Sequence, residues 1–247
     1  MKIIKNIPGV IKFYKSLSIL NRYKKNIKKY RAEGNLEKER ENIVLATSAW
    51  GKEIVRVFNS ELTVEGKENL PEKGPVVVVS NHQGIGDIPA LCAALDKFQI
   101  GFIAKDSLKK IPLYGQWIDI VRSIFILRES PRESLGAIKK GVRYIEDGFS
   151  LVIFPEGTRS RGNEMGEFKK GSTKLATIPG VPIIPISLNG TADVYEKTGV
   201  LSSAKIKIII HPPIITEGLT KIEEKAIPAL VEKTVRDGVD KLVKEMA

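Results

Sequence analysis

The sequence of 247 residues is poor in cysteine, glutamine and aromatic residues. Its single cysteine, Cys92, has no partner for a disulfide, which excludes a small disulfide-stabilised scaffold. Only 21 Gly and 13 Pro are present, so no collagen-like or low-complexity segment is expected. Hydrophobic residues make up 42% of the chain, which excludes intrinsic disorder. The scarcity of Gln beside abundant Lys and Glu favours a thermophile as the source.

Long apolar runs are also missing. No stretch reaches the roughly 18–20 apolar residues that a membrane-spanning helix requires. Lys12 and Lys15 interrupt the hydrophobic region that a signal peptide would need, and no small-residue cleavage site follows them. The sequence therefore predicts an intracellular protein.

Acidic residues are absent from the first 32 positions, which contain ten Lys or Arg residues. This segment accounts for nearly all of the formal net charge of +11, since the other 215 residues carry 30 basic and 29 acidic residues. The excess charge lies in one terminal segment and not in a groove of the globular body. Nucleic acid is therefore not expected as a partner.

Residues 1–60 are predicted to form an amphipathic two-helix motif. Apolar residues recur at spacings of three and four from Ile3 to Leu17, with lysines off this stripe. Gly34 breaks the pattern, and a second helical pattern follows between residues 43 and 58.

Two interpretations of this motif compete. The helices either pack as a hairpin on the main domain or lie on the surface of an anionic membrane. The lack of acids favours the membrane, because each Lys or Arg contributes about 1 kcal/mol near an anionic surface. The predicted membrane-associating residues are Lys2, Lys5, Ile7, Val10, Lys12, Tyr14, Lys15, Leu17 and Trp50.

Residues 61–247 alternate between strand and helix patterns. Strands are predicted at 75–80, 101–104, 123–127, 150–154, 183–188 and 205–210, and helices at 88–95, 112–120, 132–147 and 226–246. This alternation predicts an α/β domain with a largely parallel mixed sheet flanked by helices. In such sheets, active sites gather at the carboxyl ends of the strands.

The first of these strands is followed by a turn that contains His82 and Asp87. Residues five apart face different ways on a helix or a strand, so only a turn brings the carboxylate to the imidazole. Gly84 and Gly86 supply the backbone freedom for one. A carboxylate on one ring nitrogen leaves the other as a general base. Alternatively, Asp87 caps a helix and His82 bonds to the backbone.

Other nucleophiles and metal ligands are missing. No serine lies in a Gly-x-Ser-x-Gly elbow, and Cys92 falls in an apolar helix, where a core position is expected. Neither His82 nor His211 has a partner at metal-ligand spacing, so no metal is predicted. A base without an enzyme nucleophile suggests that the substrate supplies the attacking group, such as a hydroxyl.

A second cluster of polar residues follows the strand at 150–154. Gly157, Thr158 and Arg159 offer a backbone N–H, a hydroxyl and a guanidinium, a set that suits a phosphate. Further candidates at strand ends are Lys105 and Arg128, while Glu156 contacts either a glycerol hydroxyl or an arginine. A solvated surface loop is the alternative. Together these cations predict an anionic ligand.

These residues resemble the glycerolipid acyltransferase family. The resemblance rests on the His82–Asp87 turn, the run Phe-Pro-Glu-Gly-Thr-Arg-Ser at 154–160 and the segment Val-Pro-Ile-Ile-Pro at 181–185. The resemblance implies that His82 and Asp87 form the catalytic dyad. It also implies that an acceptor site contains Glu156, Gly157, Thr158 and Arg159, with Arg128 in the second block and Lys105 in the lysine-bearing segment before it. Arg122 stands where the family commonly has glycine.

The closest likeness within the family is to the enzymes that make phosphatidic acid. It implies that lysophosphatidic acid is the acceptor and that an acyl thioester, acyl-CoA or acyl-ACP (acyl carrier protein), is the donor. No cofactor is implied, and the expected location is the cytoplasmic face of the cell membrane, with peripheral or monotopic attachment. The alternatives are another acceptor such as glycerol 3-phosphate or another lysophospholipid, a hydrolase, and a non-catalytic membrane-binding protein.

Overall fold

The computed structural model describes residues 2–127 and 131–247. The helices are α1 (Lys2–Ala32), α2 (Leu36–Val57), α3 (Asp87–Ala94), α4 (Tyr114–Ile120), α5 (Pro131–Glu146), α6 (Lys174–Thr177) and α7 (Lys221–Met246). The strands are β1 (Glu61–Glu65), β2 (Val77–Ser80), β3 (Ile100–Lys105), β4 (Ile124–Ile126), β5 (Ser150–Ile153), β6 (Ile183–Asn189) and β7 (Lys205–Ile210).

The strands form one sheet in the order β1-β7-β6-β2-β5-β3-β4. All neighbouring strands run parallel except β6 and β7, which are antiparallel. The predicted α/β class with a largely parallel mixed sheet is confirmed. One strand was missed, because β1 lies at the sheet edge and its sequence Glu-Leu-Thr-Val-Glu has charged residues at both ends.

The sheet is buried on both faces, and β2 shows why. Val76 and Val78 pack in the cluster formed with α1 to α4, whereas Val77 and Val79 pack in the cluster formed with α5 to α7. A strand covered on both sides must be apolar at every position, which the run of four valines satisfies. The molecule therefore has three layers, with the carboxyl ends of β2, β3 and β5 at one edge.

The N-terminal helices are part of this layered body. They share the buried cluster on one face of the sheet, and the indole N–H of Trp50 donates to the hydroxyl of Ser16 at 3.1 Å. The predicted boundary at residue 60 falls between α2 and β1. Two predicted membrane contacts were wrong: Leu17 is 1% exposed and Trp50 is 5% exposed, because this part of α1 packs against α2.

The first turns of α1 present a different surface. Exposed apolar side chains are Ile3, Ile4, Ile7, Val10, Ile11 and Tyr14. Lysines 2, 5, 12 and 15 are exposed on the same turns. In the described residues, none of the helices has the length and apolarity needed to cross a membrane.

Candidate active site

The turn between β2 and α3 brings His82 and Asp87 into direct contact. Nδ1 of His82 lies 2.5 Å from Oδ2 of Asp87, and the N–H of Gly84 donates to the same oxygen at 3.1 Å. Asp87 is fully buried, while the side chain of His82 is 12% exposed. The turn geometry predicted for this pair is therefore present in the structure.

Asp87 is held on its other side by a residue that sequence reasoning missed. The hydroxyl of Thr191 donates to Oδ1 of Asp87 through a short hydrogen bond. Thr191 follows β6, which is the parallel neighbour of β2, so the carboxyl ends of the two strands meet at the same edge. Only the order of strands in the sheet reveals this contact, since 104 residues separate the pair.

These bonds settle which ring nitrogen of His82 carries the proton. The carboxylate of Asp87 accepts hydrogen bonds from Gly84 and Thr191, so it acts as an acceptor toward Nδ1 as well. In the neutral ring, Nδ1 is then protonated and Nε2 has the free lone pair. The ring also stacks on Phe154, with centroids 4.2 Å apart and planes 17° apart. The ring of His82 is thus held in one orientation by Asp87 and Phe154.

Glu156 supports the turn that contains His82, through hydrogen bonds to backbone N–H groups. Its side chain does not line the cavity next to His82, which is described below. One carboxylate oxygen accepts the backbone N–H of His82 at 2.6 Å, and the other accepts the N–H of Gly166 at 2.8 Å. The residue is 8% exposed, and burial raises the pKa of Glu156 above its usual value. Within the described residues, the carboxylate of Glu156 binds backbone N–H groups and has no arginine partner, so the arginine contact expected for it is not present.

Glu156→Gln should therefore lower kcat and leave the acceptor KM unchanged. The amide of Gln has one acceptor oxygen, whereas the carboxylate of Glu156 accepts from two backbone N–H groups, one on each oxygen. A lost hydrogen bond of about 1–3 kcal/mol, if all of it raises the barrier, corresponds to a fall in kcat of about 5- to 150-fold. Steady-state kinetics would measure both constants. Glu164→Gln, in the exposed part of the same loop, is the matched control. A higher KM with an unchanged kcat would place Glu156 in the acceptor site instead.

The predicted cations meet at the same edge of the sheet as His82. Lys105, Thr158 and Arg159 line one cavity together with His82, and Arg161, which was not predicted, joins them. Gly157 is at the adjacent turn with a φ of 72°, but it does not line the cavity. Arg128 lies outside the described residues.

The cavity extends from this polar end into the layer of helices. Its volume is about 660 Å³. Its wall is made largely of apolar side chains from α1, α2, α3 and α4, among them Val10, Phe13, Leu20, Trp50, Ile54, Ile88 and Trp117. The site therefore combines a base and cations at one end with an apolar chamber at the other.

Cys92 lies in the core, and the possible metal ligands are dispersed in the described part of the chain. Cys92 is 2% exposed in α3, and burial raises the pKa of its thiol, so it is a core residue as predicted. Among the described residues, no group of three or more His, Cys, Asp or Glu side chains is arranged to hold a metal ion.

Comparison with known proteins identifies the family. The family model described as Acyltransferase matches residues 61–189, which is more than half of the chain. This chain belongs to the Acyltransferase family. The matched range contains the dyad and Arg159 of this acyltransferase. It ends before Thr191, and α1 and α2 lie outside it as well.

Individual relatives agree with this assignment. The acyltransferase is 36% identical over 157 residues to the chloroplastic 1-acyl-sn-glycerol-3-phosphate acyltransferase LPAT1 of Arabidopsis thaliana, covering 62% of this chain and 44% of that protein. It is 31% identical over 176 residues to the 1-acyl-sn-glycerol-3-phosphate acyltransferase of Borreliella burgdorferi, covering 71% and 70%. The chain thus spans less than half the length of the plant relative and over two thirds of the bacterial one.

A solved structure resembles the whole chain. The crystal structure of the 1-acyl-sn-glycerophosphate acyltransferase PlsC from Thermotoga maritima superposes with a TM-score of 0.76 and 29% sequence identity, covering 98% of each chain. The likeness includes the N-terminal helices, which the family match leaves out.

Proposed function

We propose that this acyltransferase transfers an acyl chain from a thioester, acyl-CoA or acyl-ACP, to the sn-2 hydroxyl of lysophosphatidic acid, giving phosphatidic acid. One observation carries the proposal: His82, held by Asp87, lines one cavity together with cationic side chains and with the apolar side chains of the chamber. A lysophospholipid has its free hydroxyl between a phosphate and an acyl chain. The relatives whose names state this activity support the same acceptor.

His82 acts as the general base in this proposal. Nε2 takes the proton of the sn-2 hydroxyl as its oxygen attacks the thioester carbonyl carbon. The tetrahedral intermediate collapses, the C–S bond breaks, and the departing thiolate receives the proton from the imidazolium. Asp87 stabilises the positive ring while it exists, and His82 ends the cycle neutral.

Arg159 is the proposed contact for the acceptor phosphate. Its side chain is 38% exposed and lines the cavity, and within the described residues its single side-chain hydrogen bond uses one Nη1 proton. The other guanidinium N–H groups suit two oxygens of one phosphate. Lys105, Thr158 and Arg161 line the same end and add charge and a hydroxyl.

The apolar chamber is the proposed site for an acyl chain. The whole cavity, of which the chamber is the apolar part, has a volume of about 660 Å³, which falls in the usual range for small-molecule sites. Apolar walls stabilise a buried chain by roughly 0.8 kcal/mol per methylene group. His82 lines the same cavity, so an acyl chain held in the chamber lies in the same space as the proposed base.

Thin-layer chromatography of products tests the reaction. We expect phosphatidic acid from lysophosphatidic acid with a radiolabelled acyl thioester, supplied as acyl-CoA in one arm and acyl-ACP in the other. Glycerol 3-phosphate and lysophosphatidylcholine are the competing acceptors, and a sample without acceptor reports hydrolysis. Faster transfer to a competing acceptor, or thioester loss without any acceptor, would contradict the proposed function.

We also propose that the first turns of α1 attach the enzyme to an anionic leaflet at the cytoplasmic face of the cell membrane. Exposed isoleucines and an excess of lysine on one helical segment suit an interface, where burial of apolar groups and charge attraction add. Lys12 has a structural contact too, since its ammonium donates to the carbonyl oxygen of Val57 at 2.9 Å. Lys2, Lys5 and Lys15 remain for the membrane.

Replacing Ile3, Ile4 and Ile7 together by serine should weaken vesicle binding at least about tenfold, since each side chain gives up part of the 1.5–3 kcal/mol of full burial. Co-sedimentation with vesicles of phosphatidylglycerol and phosphatidylcholine would measure it. The matched control replaces Ile178, Ile215 and Ile222, which are exposed and lie outside α1 and α2. Equal binding by both triple variants would refute attachment through α1.

A further inference from the structure

Glu196 has a position that the proposed mechanism does not use. It follows the helical turn Thr191–Val194 after β6, beyond the region matched by the family, and its side chain is only 4% exposed. Its Oε1 accepts two hydrogen bonds, one from Nη1 of Arg159 at 2.7 Å and one from the backbone N–H of Ile85 at 3.0 Å. One oxygen atom therefore links the cation of the site to the turn that contains the dyad.

The two partners of Glu196 belong to the two halves of the site. Ile85 is in the middle of the turn between His82 and Asp87, and Arg159 lies at the cationic end of the cavity. Distances between these halves decide whether a bound molecule can place its phosphate on the guanidinium while its hydroxyl reaches Nε2. A long arginine side chain alone has too many rotamers to fix such a distance.

Stability alone does not account for this carboxylate. Its Oε2 is buried and has no hydrogen-bond partner among the described residues, which costs free energy. The carboxylate is also confined, because a Cβ added at Gly84 would lie 2.3 Å from Oε2. Glu196 is thus a rigid support that holds Arg159 at the expense of one unsatisfied oxygen.

The negative charge of Glu196 repels an anionic ligand. The hydrogen bond from Arg159 to Glu196 must therefore favour binding of the ligand by more than this repulsion disfavours it. Lys105 and Arg161 line the same end of the cavity and keep it cationic after Arg159 is paired. The turn has other supports besides Glu196, since the N–H groups of Ser160 and Arg161 donate to the carbonyl oxygens of His82 and Gln83. The main effect of Glu196 then falls on Arg159.

We propose that Glu196 is a positioning residue that holds Arg159 at a set distance from the His82–Asp87 turn, so that a phosphate monoester binds with its glycerol hydroxyl at the base. The proposal rests on the proposed function for the identity of the acceptor. It assigns the hydrogen bond, and not the negative charge, as what Glu196 contributes.

Two variants separate the hydrogen bond from the charge. Glu196→Ala removes both, and we expect the KM for lysophosphatidic acid to rise about tenfold with kcat lowered less than about threefold, the loss expected for one charge-assisted hydrogen bond. Glu196→Gln keeps an acceptor oxygen and should restore KM to within about threefold of the parent value. Asp193→Ala is the control, because its exposed pair with Lys197 lies in the same segment and outside the site.

A double-mutant cycle tests whether Glu196 acts through Arg159. Arg159→Ala should raise KM at least as much as Glu196→Ala, and the two changes together should be no worse than Arg159→Ala alone. Thermal unfolding of each variant checks that the fold is retained. Additive effects, a KM lowered by Glu196→Ala, or a Gln variant as impaired as the Ala variant would each overturn the proposal.

Binding of glycerol 3-phosphate without donor separates this proposal from the proposed function. Calorimetric titration should show affinities in the order expected from the KM values. The parent and Glu196→Gln should bind glycerol 3-phosphate more tightly than Glu196→Ala and Arg159→Ala. If the parent enzyme binds glycerol 3-phosphate in this pattern but does not acylate lysophosphatidic acid, the proposed function fails and the positioning role stands. If the parent enzyme acylates lysophosphatidic acid, but the substitutions of Glu196 change neither the affinity for glycerol 3-phosphate nor the KM, only the positioning role fails. If the parent neither binds nor acylates, both fail.

Discussion

His82→Ala should lower kcat for acyl transfer by a factor of about 10²–10⁴, the usual contribution of a positioned general base. The variant loses the only group in the described site whose free ring nitrogen is oriented by a buried carboxylate. Phe154, which stacks on the ring, and Asp87, which is held by Thr191, keep the surrounding structure in place. Initial rates with lysophosphatidic acid and an acyl thioester measure the effect.

The other histidine supplies the control for this experiment. His211 lies between β7 and α7, where its Nε2 is 2.8 Å from the hydroxyl of Ser187, and it has no contact with the site. His211→Gln should leave kcat near the parent value. Vesicle binding should survive both changes, since α1 is untouched. Acyl transfer that persists in the His82 variant would refute the base mechanism, and a non-catalytic membrane protein would then be the better account.

Local patterns predicted the fold where burial determines the residue at every position. The valine run at 76–79 and the run Leu-Val-Ile at 151–153 are apolar throughout because helices cover both faces of the sheet, and both strands were predicted. The end of α1 at Ala32 agrees with the expected break of the helical pattern at Gly34. The full burial of Ile27 in this Lys-rich part of the helix depends on tertiary contacts, which no window of sequence shows.

The sequence predicted those residues of the site that lie at the carboxyl ends of strands. His82 and Arg159 each follow a strand and Lys105 is the last residue of one, and parallel strands bring their carboxyl ends to one edge. Thr191 and Glu196 were missed because their contacts depend on β6 lying next to β2, which only the sheet order shows. A motif cannot distinguish a carboxylate that binds backbone from one that binds substrate.

Glu39→Ala should cost about 3–5 kcal/mol of unfolding free energy, the range for removing one partner of a buried ion pair. Glu39 is fully buried in α2 and accepts from Arg31 of α1 at 2.7 Å. Its two oxygens also accept from Nε and Nη2 of Arg122, each at 2.8 Å. The variant leaves two guanidinium groups near the core without their carboxylate. Urea unfolding followed by circular dichroism gives the difference.

The geometry around Arg122 explains why the carboxylate matters so much. Arg122 has a φ of 62°, a conformation that favours glycine, and it stands where the family commonly has one. Its guanidinium stacks on Phe149 at 4.7 Å from the ring centroid, so the cation is enclosed between an aromatic ring and Glu39. Hydrogen bonding to Glu39 raises the pKa of Arg122, so the guanidinium stays protonated in this enclosed position.

Arg122→Gly should therefore be milder than Glu39→Ala, because it removes only two of the three hydrogen bonds that the Glu39 variant loses. Glycine relieves the backbone strain at position 122, which is about 1–2 kcal/mol. The substitution also removes the guanidinium of Arg122 together with its hydrogen bonds to Glu39, so no unpaired cation is left, and Glu39 still pairs with Arg31. Glu53→Ala, on the exposed side of α2, is the control and should barely change the unfolding free energy, since its pair with Arg56 faces solvent. A Glu39 variant as stable as this control would show that α1, α2 and the sheet are held together by apolar packing alone.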